Sequence, residues 1–163
     1  MIRQAEKSDA ARIAEIYNYY VINTYITFEV DPVTEAEMSL RILECHENGL
    51  PWLVAEHEGE VVGYSYASKW KGRCAYRHSV EATVYLDRTS LSKGWGSRLY
   101  SDLFSKLAKN GVHAIISGIA LPNDASIALH EKFGMEKVAH FKEVGRKFDN
   151  WVDVGYWQRV IRA

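Results

Sequence analysis

Glu81 stands in the stretch SVEATVYL, Ser79 to Leu86, with Val80, Ala82 and Val84 around it. A carboxylate among apolar neighbours has a raised pKa and can accept a proton near neutral pH, directly or through water. The same residue could also be an exposed glutamate on a sheet edge, or one paired with Arg77 or Arg88. His130, in PNDASIALHEKFG, is the second titratable candidate, because imidazole suits proton transfer at neutral pH. A lone histidine on a short helix is equally an ordinary surface or core residue. His46, His57, His78, His113 and His140 show no metal-ligand spacing and HExxH is absent, so no metal is expected.

A third feature lies between them. In SLSKGWGSRLY a serine-rich turn, Lys93 and two glycines open a helix. A Walker A loop needs GxxxxGK before Ser or Thr, and Lys93-Gly94 has the reverse order. A dinucleotide fingerprint needs a third glycine where Leu99 stands. Two readings remain: a tight strand-to-helix connection, or a turn whose N–H groups converge on a diphosphate at the helix N-terminus. In the second, the donors are Ser92, Lys93, Gly94, Trp95, Gly96 and Ser97, and the glycines let the backbone approach without Cβ clashes.

The loop KWKGRCAYRH places Lys69, Lys71, Arg73 and Arg77 among Trp70 and Tyr76. It reads as a solvated basic loop or as an attractor for a small acid, since an arginine fork binds paired oxygens. The whole chain is nearly neutral, with 20 basic and 21 acidic residues, which argues against nucleic-acid binding by charge attraction. The first residues lack the apolar core of a signal peptide, no run could span a bilayer, and no membrane partner is expected. Cys45 and Cys74 lack pairing motifs and read as free thiols of a reducing compartment, hence a cytoplasmic protein.

The elements that must position these groups follow from periodicity. IRQAE reads as a strand, then Ser8 caps a helix carrying Ile13, Ile16, Tyr17 and Tyr20 at helical spacing. TYITFEVDP is a loop. Thr34 and Glu37 form a capping box for a second helix that stops at Asn48-Gly49. PWLVAEH and EVVGYSYASKW flank Glu58-Gly59 as a hairpin, and SVEATVYL is the next strand. The glycine turn leads to a helix with Leu99, Leu103, Phe104 and Leu107 on one face. HAIISGIAL, a short helix, EKVAHFKEV, a loop over Val144–Trp151 and WVDVGYWQRVI complete the chain. The order is β-α-α-β-β-β-α-β-α-β-β, a mixed α/β fold, and with no linker or repeat the expectation is one domain, 1–163.

LSKGWG before a helix resembles the Q/R-x-x-G-x-G/A segment of the GCN5-related N-acetyltransferases (GNAT), and NDASIALHEKFGM resembles that superfamily's N-x-x-A-x-x-L-Y-E-K-x-G-F helix. IYNYYVINTYITFE, PWLVAE, AYRHSVEATVYLDR and VGRKFDNWVDVGYWQ extend the resemblance to the phosphinothricin and methionine sulfoximine/sulfone N-acetyltransferase subgroup, over nearly the whole chain. The resemblance implies the GNAT fold, acetyl-CoA as co-substrate, and acetylation of the α-amino group of a small amino-acid analogue. It implies Glu81 as general base and His130 where many members carry a tyrosine acid. The strand of Glu81 would splay from its neighbour, so that Val84, Tyr85 and Leu86 meet the pantetheine arm and an amide near Tyr85 polarises the thioester. Asn123, otherwise an N-cap, would contact the CoA arm. Arg73 and Tyr76 would hold the acceptor and Phe28 would close the pocket. The Val144–Trp151 loop would cover that pocket or meet a second subunit, and a homodimer is expected.

Two residues depart from the pattern. Leu91 replaces the usual Gln or Arg, which removes a side-chain contact to pyrophosphate but leaves the backbone donors, and Met135 replaces an aromatic as a packing change. Three alternatives stand beside this reading: the same fold acting on a polyamine, aminoglycoside or protein N-terminus, a non-catalytic acyl-CoA-binding module, and a dinucleotide-binding oxidoreductase. The basic loop counts against a polycationic acceptor.

Overall fold

The computed structural model describes residues 1–162. Ala163, the last residue of the expected domain, lies outside the described residues. The element order is β1 (Ile2–Gln4), α1 (Ala10–Asn23), α2 (Glu35–Glu47), β2 (Trp52–His57), β3 (Glu60–Lys69), β4 (Ser79–Leu86), α3 (Trp95–Lys109), β5 (Ala114–Ala120), α4 (Asp124–Lys132), β6 (Glu136–Lys147) and β7 (Asn150–Val160). The strands form one seven-stranded sheet in the order β1-β2-β3-β4-β5-β7-β6, so the fold is mixed α/β as the sequence predicts.

Two apolar layers sandwich the sheet. Ile13, Ile16, Tyr17 and Tyr20 of α1 pack with Met38 and Ile42 of α2 on Trp52, Val54 and Tyr64. Leu99, Leu103 and Leu107 of α3 pack on Leu53, Ala55 and Val62 on the other face. Alternate residues of β2 therefore serve opposite layers, which is why WLVA reads as an unbroken apolar run. The α2 start is the predicted capping box: Glu37 N–H donates to Thr34 Oγ1 at 3.1 Å, and Thr34 N–H donates to Glu37 Oε2 at 2.8 Å.

The sequence reading needs correcting in two places. Ser8 does not cap α1. It sits inside a 3-10 turn over Lys7–Asp9, and the Asp9 carboxylate closes the turn by accepting the Glu6 N–H at 2.8 Å. Arg3 holds that carboxylate at 2.8 and 2.9 Å. The Val144–Trp151 segment is not a loop either. β6 continues to Lys147, a turn with Phe148 and Asp149 at φ 49° and 60° reverses it, and Arg146 pairs with Trp151 in register.

β4 and β5 are parallel, joined by the α3 crossover, and they pair only where Ser79–Glu81 face Ala114–Ile116. Beyond Glu81 the two strands part. This fork positions the site.

Candidate active site

Main-chain groups along β4 alternate between its two neighbours. Trp70 N–H donates to Ser79 O and Asp87 N–H to Val62 O, so the odd-numbered residues turn their backbone to β3. Ala82 O accepts from Ser117 Oγ at 2.8 Å and Leu86 O accepts from the Tyr20 hydroxyl, so the even-numbered ones face the fork. Both polar groups of Val84 and the N–H of Leu86 therefore look into the gap. The Tyr85 amide, by contrast, is turned to β3. An extended chain needs such edge groups as a ladder, and a pantetheine-like amide chain fits them.

The Glu81 side chain projects on the α1/α2 face into a cavity of about 360 Å³. Burial pushes its carboxyl pKa up, and Lys71 opposes that only in part. Neither expected partner reaches it. Arg77 bonds Cys74 O at 3.3 Å, Arg88 lies over the Tyr19 ring, and no ion pair to Glu81 forms among the described residues. The cavity wall also holds Thr27, Phe28, Val84, Tyr85, Asn123, Val144 and Tyr156.

His130 and Tyr100 line the same cavity. His130 is 4% exposed, Tyr100 is wholly buried, and the tyrosine oxygen stands 2.9 Å from His130 Nε2. His130 Nδ1 lies 2.6 Å from the Ser126 carbonyl, which can only accept, so Nδ1 carries the hydrogen. Nε2 then accepts from the Tyr100 hydroxyl. Burial lowers the imidazole pKa against the Ser126 contact, which keeps this neutral tautomer. Neutral His130 thus has no hydrogen at Nε2, and the one hydrogen between the two side chains is the Tyr100 O–H, donated to Nε2 in this structure. Burial raises the Tyr100 pKa, so the hydroxyl stays protonated. The sequence reading missed Tyr100 because a tyrosine beside Leu99 and Leu103 reads as packing.

At the far end of β4, Asp87 caps a 3-10 turn by accepting the Thr89 N–H at 2.8 Å. Ser92 and Gly94 then take left-handed φ of 59° and 81°, a conformation that folds successive N–H groups into a concave nest. The N–H groups from Ser92 to Ser97 make no well-formed hydrogen bond among the described residues; the first that does is Arg98, to Gly94 O at 3.1 Å. Six donors at a helix N-terminus suit a diphosphate. Gly96 has another reason to be glycine, since a Cβ there would sit 3.3 Å from Leu129 of α4. Lys132 of α4, which the sequence reading did not single out, reaches Ser97 Oγ at 3.0 Å and adds a cation. Nest and cavity are separated by the open edge of β4, about 17 Å for the five steps from Glu81 to Leu86.

Asn123 takes the expected N-cap position and also borders the cavity. Its Oδ1 accepts the Ser126 N–H at 3.1 Å as the N-cap of α4, and the residue lines the cavity. Arg73 precedes a 3-10 turn that Tyr76 ends; both are exposed and do not line the cavity of this chain. Lys71 is the loop cation whose field reaches Glu81. Cys45 and Cys74 are both free thiols, the first buried and the second exposed. Among the described residues no cluster of His, Cys, Asp and Glu could hold a metal, and no helix is long and apolar enough to cross a membrane.

The model of the acetyltransferase (GNAT) domain matches residues 2–155. Phosphinothricin N-acetyltransferase of Streptomyces viridochromogenes is 39% identical over 97% of this chain and 86% of its own. The L-methionine sulfoximine/L-methionine sulfone acetyltransferase of Salmonella typhimurium is 35% identical over 96% and 92%. The crystal structure of a phosphinothricin acetyltransferase from Sinorhizobium meliloti in complex with AcCoA superposes with a TM-score of 0.96 at 38% identity, covering 99% of this chain and 88% of that one. The forked sheet, the nest and the sequence matches agree: the chain belongs to the GNAT family of N-acetyltransferases.

Proposed function

We propose that residues 1–163 form one catalytic domain that acetylates the α-amino group of a small amino-acid analogue, with acetyl-CoA as donor. Phosphinothricin, methionine sulfoximine and methionine sulfone are the acceptors of choice. The observation that carries this reading is Glu81, a half-buried carboxylate with raised pKa and no ion-pair partner, placed where β4 and β5 part.

The residues fit the donor. The unpaired N–H groups of Ser92–Ser97 and the Lys132 ammonium suit its diphosphate, and the Val84 edge and Asn123 suit its amide arm. Bound acetyl-CoA supplies an activated thioester. Glu81 takes the proton of the incoming ammonium, which leaves a nucleophilic amine. An N–H turned into the fork, that of Val84 or Leu86, stabilises charge on the carbonyl oxygen. To meet the departing sulfur the single Tyr100 O–H turns away from His130 Nε2, which accepts it in this structure; the sequence reading gave that role to His130 itself. The amine nitrogen bonds to the thioester carbon, the C–S bond breaks, and the surplus nitrogen proton ends on the sulfur, since a thiol of ordinary pKa about 8.5 is protonated near neutral pH.

Phe28 and Val144 line the acceptor side, and Lys71, outside the lining but with a field that reaches Glu81, attracts a carboxylate or phosphinate. Arg73 and Tyr76 stay acceptor candidates through movement of their exposed turn. The reading includes a cytoplasmic homodimer, supported by exposed Val138, Phe141, Val144 and Trp151 on the β6–β7 hairpin, whereas Trp157 is core. The test is thiol release from acetyl-CoA with phosphinothricin, methionine sulfoximine, methionine sulfone, spermidine and kanamycin. Turnover confined to the first three, and lost in Glu81→Gln, supports the reading. Turnover on spermidine or kanamycin alone overturns the acceptor class.

A further inference from the structure

Lys147 is an unusual buried residue. It is 3% exposed, has no carboxylate within ion-pair distance among the described residues, and points its ammonium at backbone carbonyls. Nζ donates to Thr27 O at 2.8 Å and approaches Tyr20 O at 3.5 Å. Tyr20 O already accepts from Thr24 N–H and Thr24 Oγ1 at the C-terminus of α1. A cation there complements the helix dipole and satisfies the carbonyls of the chain leaving the helix. Burying an ammonium is costly unless its donors are matched, and the downward pull of burial on the Lys147 pKa reflects that cost.

Two residues earlier on the same side of β6, Gly145 receives the Phe28 ring, and a Cβ at that position would overlap three ring carbons. At the tip of the same hairpin, Asn150 Nδ2 donates to the Tyr25 hydroxyl at 2.8 Å. The segment after α1 is thus fastened to β6 and β7 at three consecutive points. Three of its residues, Ile26, Thr27 and Phe28, line the cavity together with Glu81.

We infer that Lys147 is a positioning residue for acetyl transfer, holding Thr27 and Phe28 as a fixed wall of the acceptor pocket while touching neither substrate. The inference rests on the reading of that cavity as the acceptor site. A lysine chosen only to stabilise the hairpin would have no need to reach the loop; this one spends its hydrogen bonds there. Loss of the tether lets the wall move, so acceptor binding weakens while the donor, held at the nest on the far side of β4, does not notice.

The experiment uses the full chain with Lys147→Met, and Gly145→Ala as a variant that displaces Phe28 but leaves the lysine in place. For both, acceptor KM rises about tenfold, the scale of one lost charge-assisted hydrogen bond, while acetyl-CoA KM and kcat stay within about twofold. Hydrogen exchange of amides 24–33 speeds up in Lys147→Met and that of α3 does not. Equal rises in both KM values, or unchanged exchange in 24–33, overturn the inference. If the unsubstituted protein turns over no amino-acid analogue, the cavity reading fails instead, and exchange alone then decides the tether.

Discussion

Glu81 and Ile116 are partners in register, and theirs is the last pair that β4 and β5 make before the strands separate. The carboxylate proposed as the base is therefore anchored by a ladder on one side and opens onto the gap on the other. Its neighbour across β3, Ser68, completes a row that fixes its height in the sheet. Burial raises its pKa, and deprotonation is what arms it as a base.

The expected pH profile follows from that sign. kcat/KM rises with pH through an inflection above the ordinary glutamate value of about 4.3. Glu81→Gln removes the inflection and lowers kcat/KM by roughly 100-fold or more. Steady-state assays from pH 5 to 9, run in both proteins, check it; an acid limb that survives in the variant refutes the assignment.

Tyr100→Phe deletes the hydroxyl at nearly constant volume and strands the His130 Nε2 lone pair. kcat falls by roughly 100-fold, the scale of one lost donor to developing charge, with acceptor KM unchanged. His130→Ala frees the hydroxyl to turn away and costs a comparable factor. The double variant is no worse than the worse single one, because the two act as a unit. Multiplying defects would show two independent roles.

Most of the scaffold was legible because its signals are local. Thr34 and Glu37 lie one turn apart, and Glu58-Gly59 announces its hairpin within two residues. The β6–β7 turn hid because Phe148 and Asp149 adopt positive φ without a glycine, and because Arg146 and Lys147 look like loop residues. Only the fold reveals that Lys147 turns inward. Glu81 was visible as a charge in an apolar strand, while its freedom from Arg77 and Arg88 was not. The partner of His130 Nε2 is Tyr100, 30 residues away, and no spacing rule reaches that far.

The nest makes a prediction about the donor. Lys132→Ala removes an exposed cation from Ser97 and raises acetyl-CoA KM about threefold at low salt, a difference that fades as salt screens it. Leu91→Arg does the reverse, since the exposed Leu91 precedes the nest and offers no donor of its own. Acetyl-CoA titrations at two ionic strengths check both; salt-independent changes would place the diphosphate elsewhere.

The carboxylate proposed as the base also weakens the fold above its folded-state pKa. A glutamate whose folded-state pKa is raised binds its proton more tightly folded than unfolded. Below the unfolded value of about 4.3 both states are protonated and the full contribution to stability is present. As pH rises through the higher folded value that contribution is lost, because the native state then holds a poorly solvated charge. Glu81→Gln keeps the shape and removes the charge, so its Tm exceeds that of the unsubstituted protein at pH 7, and the gap narrows toward pH 4. Scanning calorimetry at the two pH values checks it. A Tm at pH 7 equal to or below that of the unsubstituted protein would mean that Glu81 is solvated or paired in the native state, and its role as an unpaired base would fall with it.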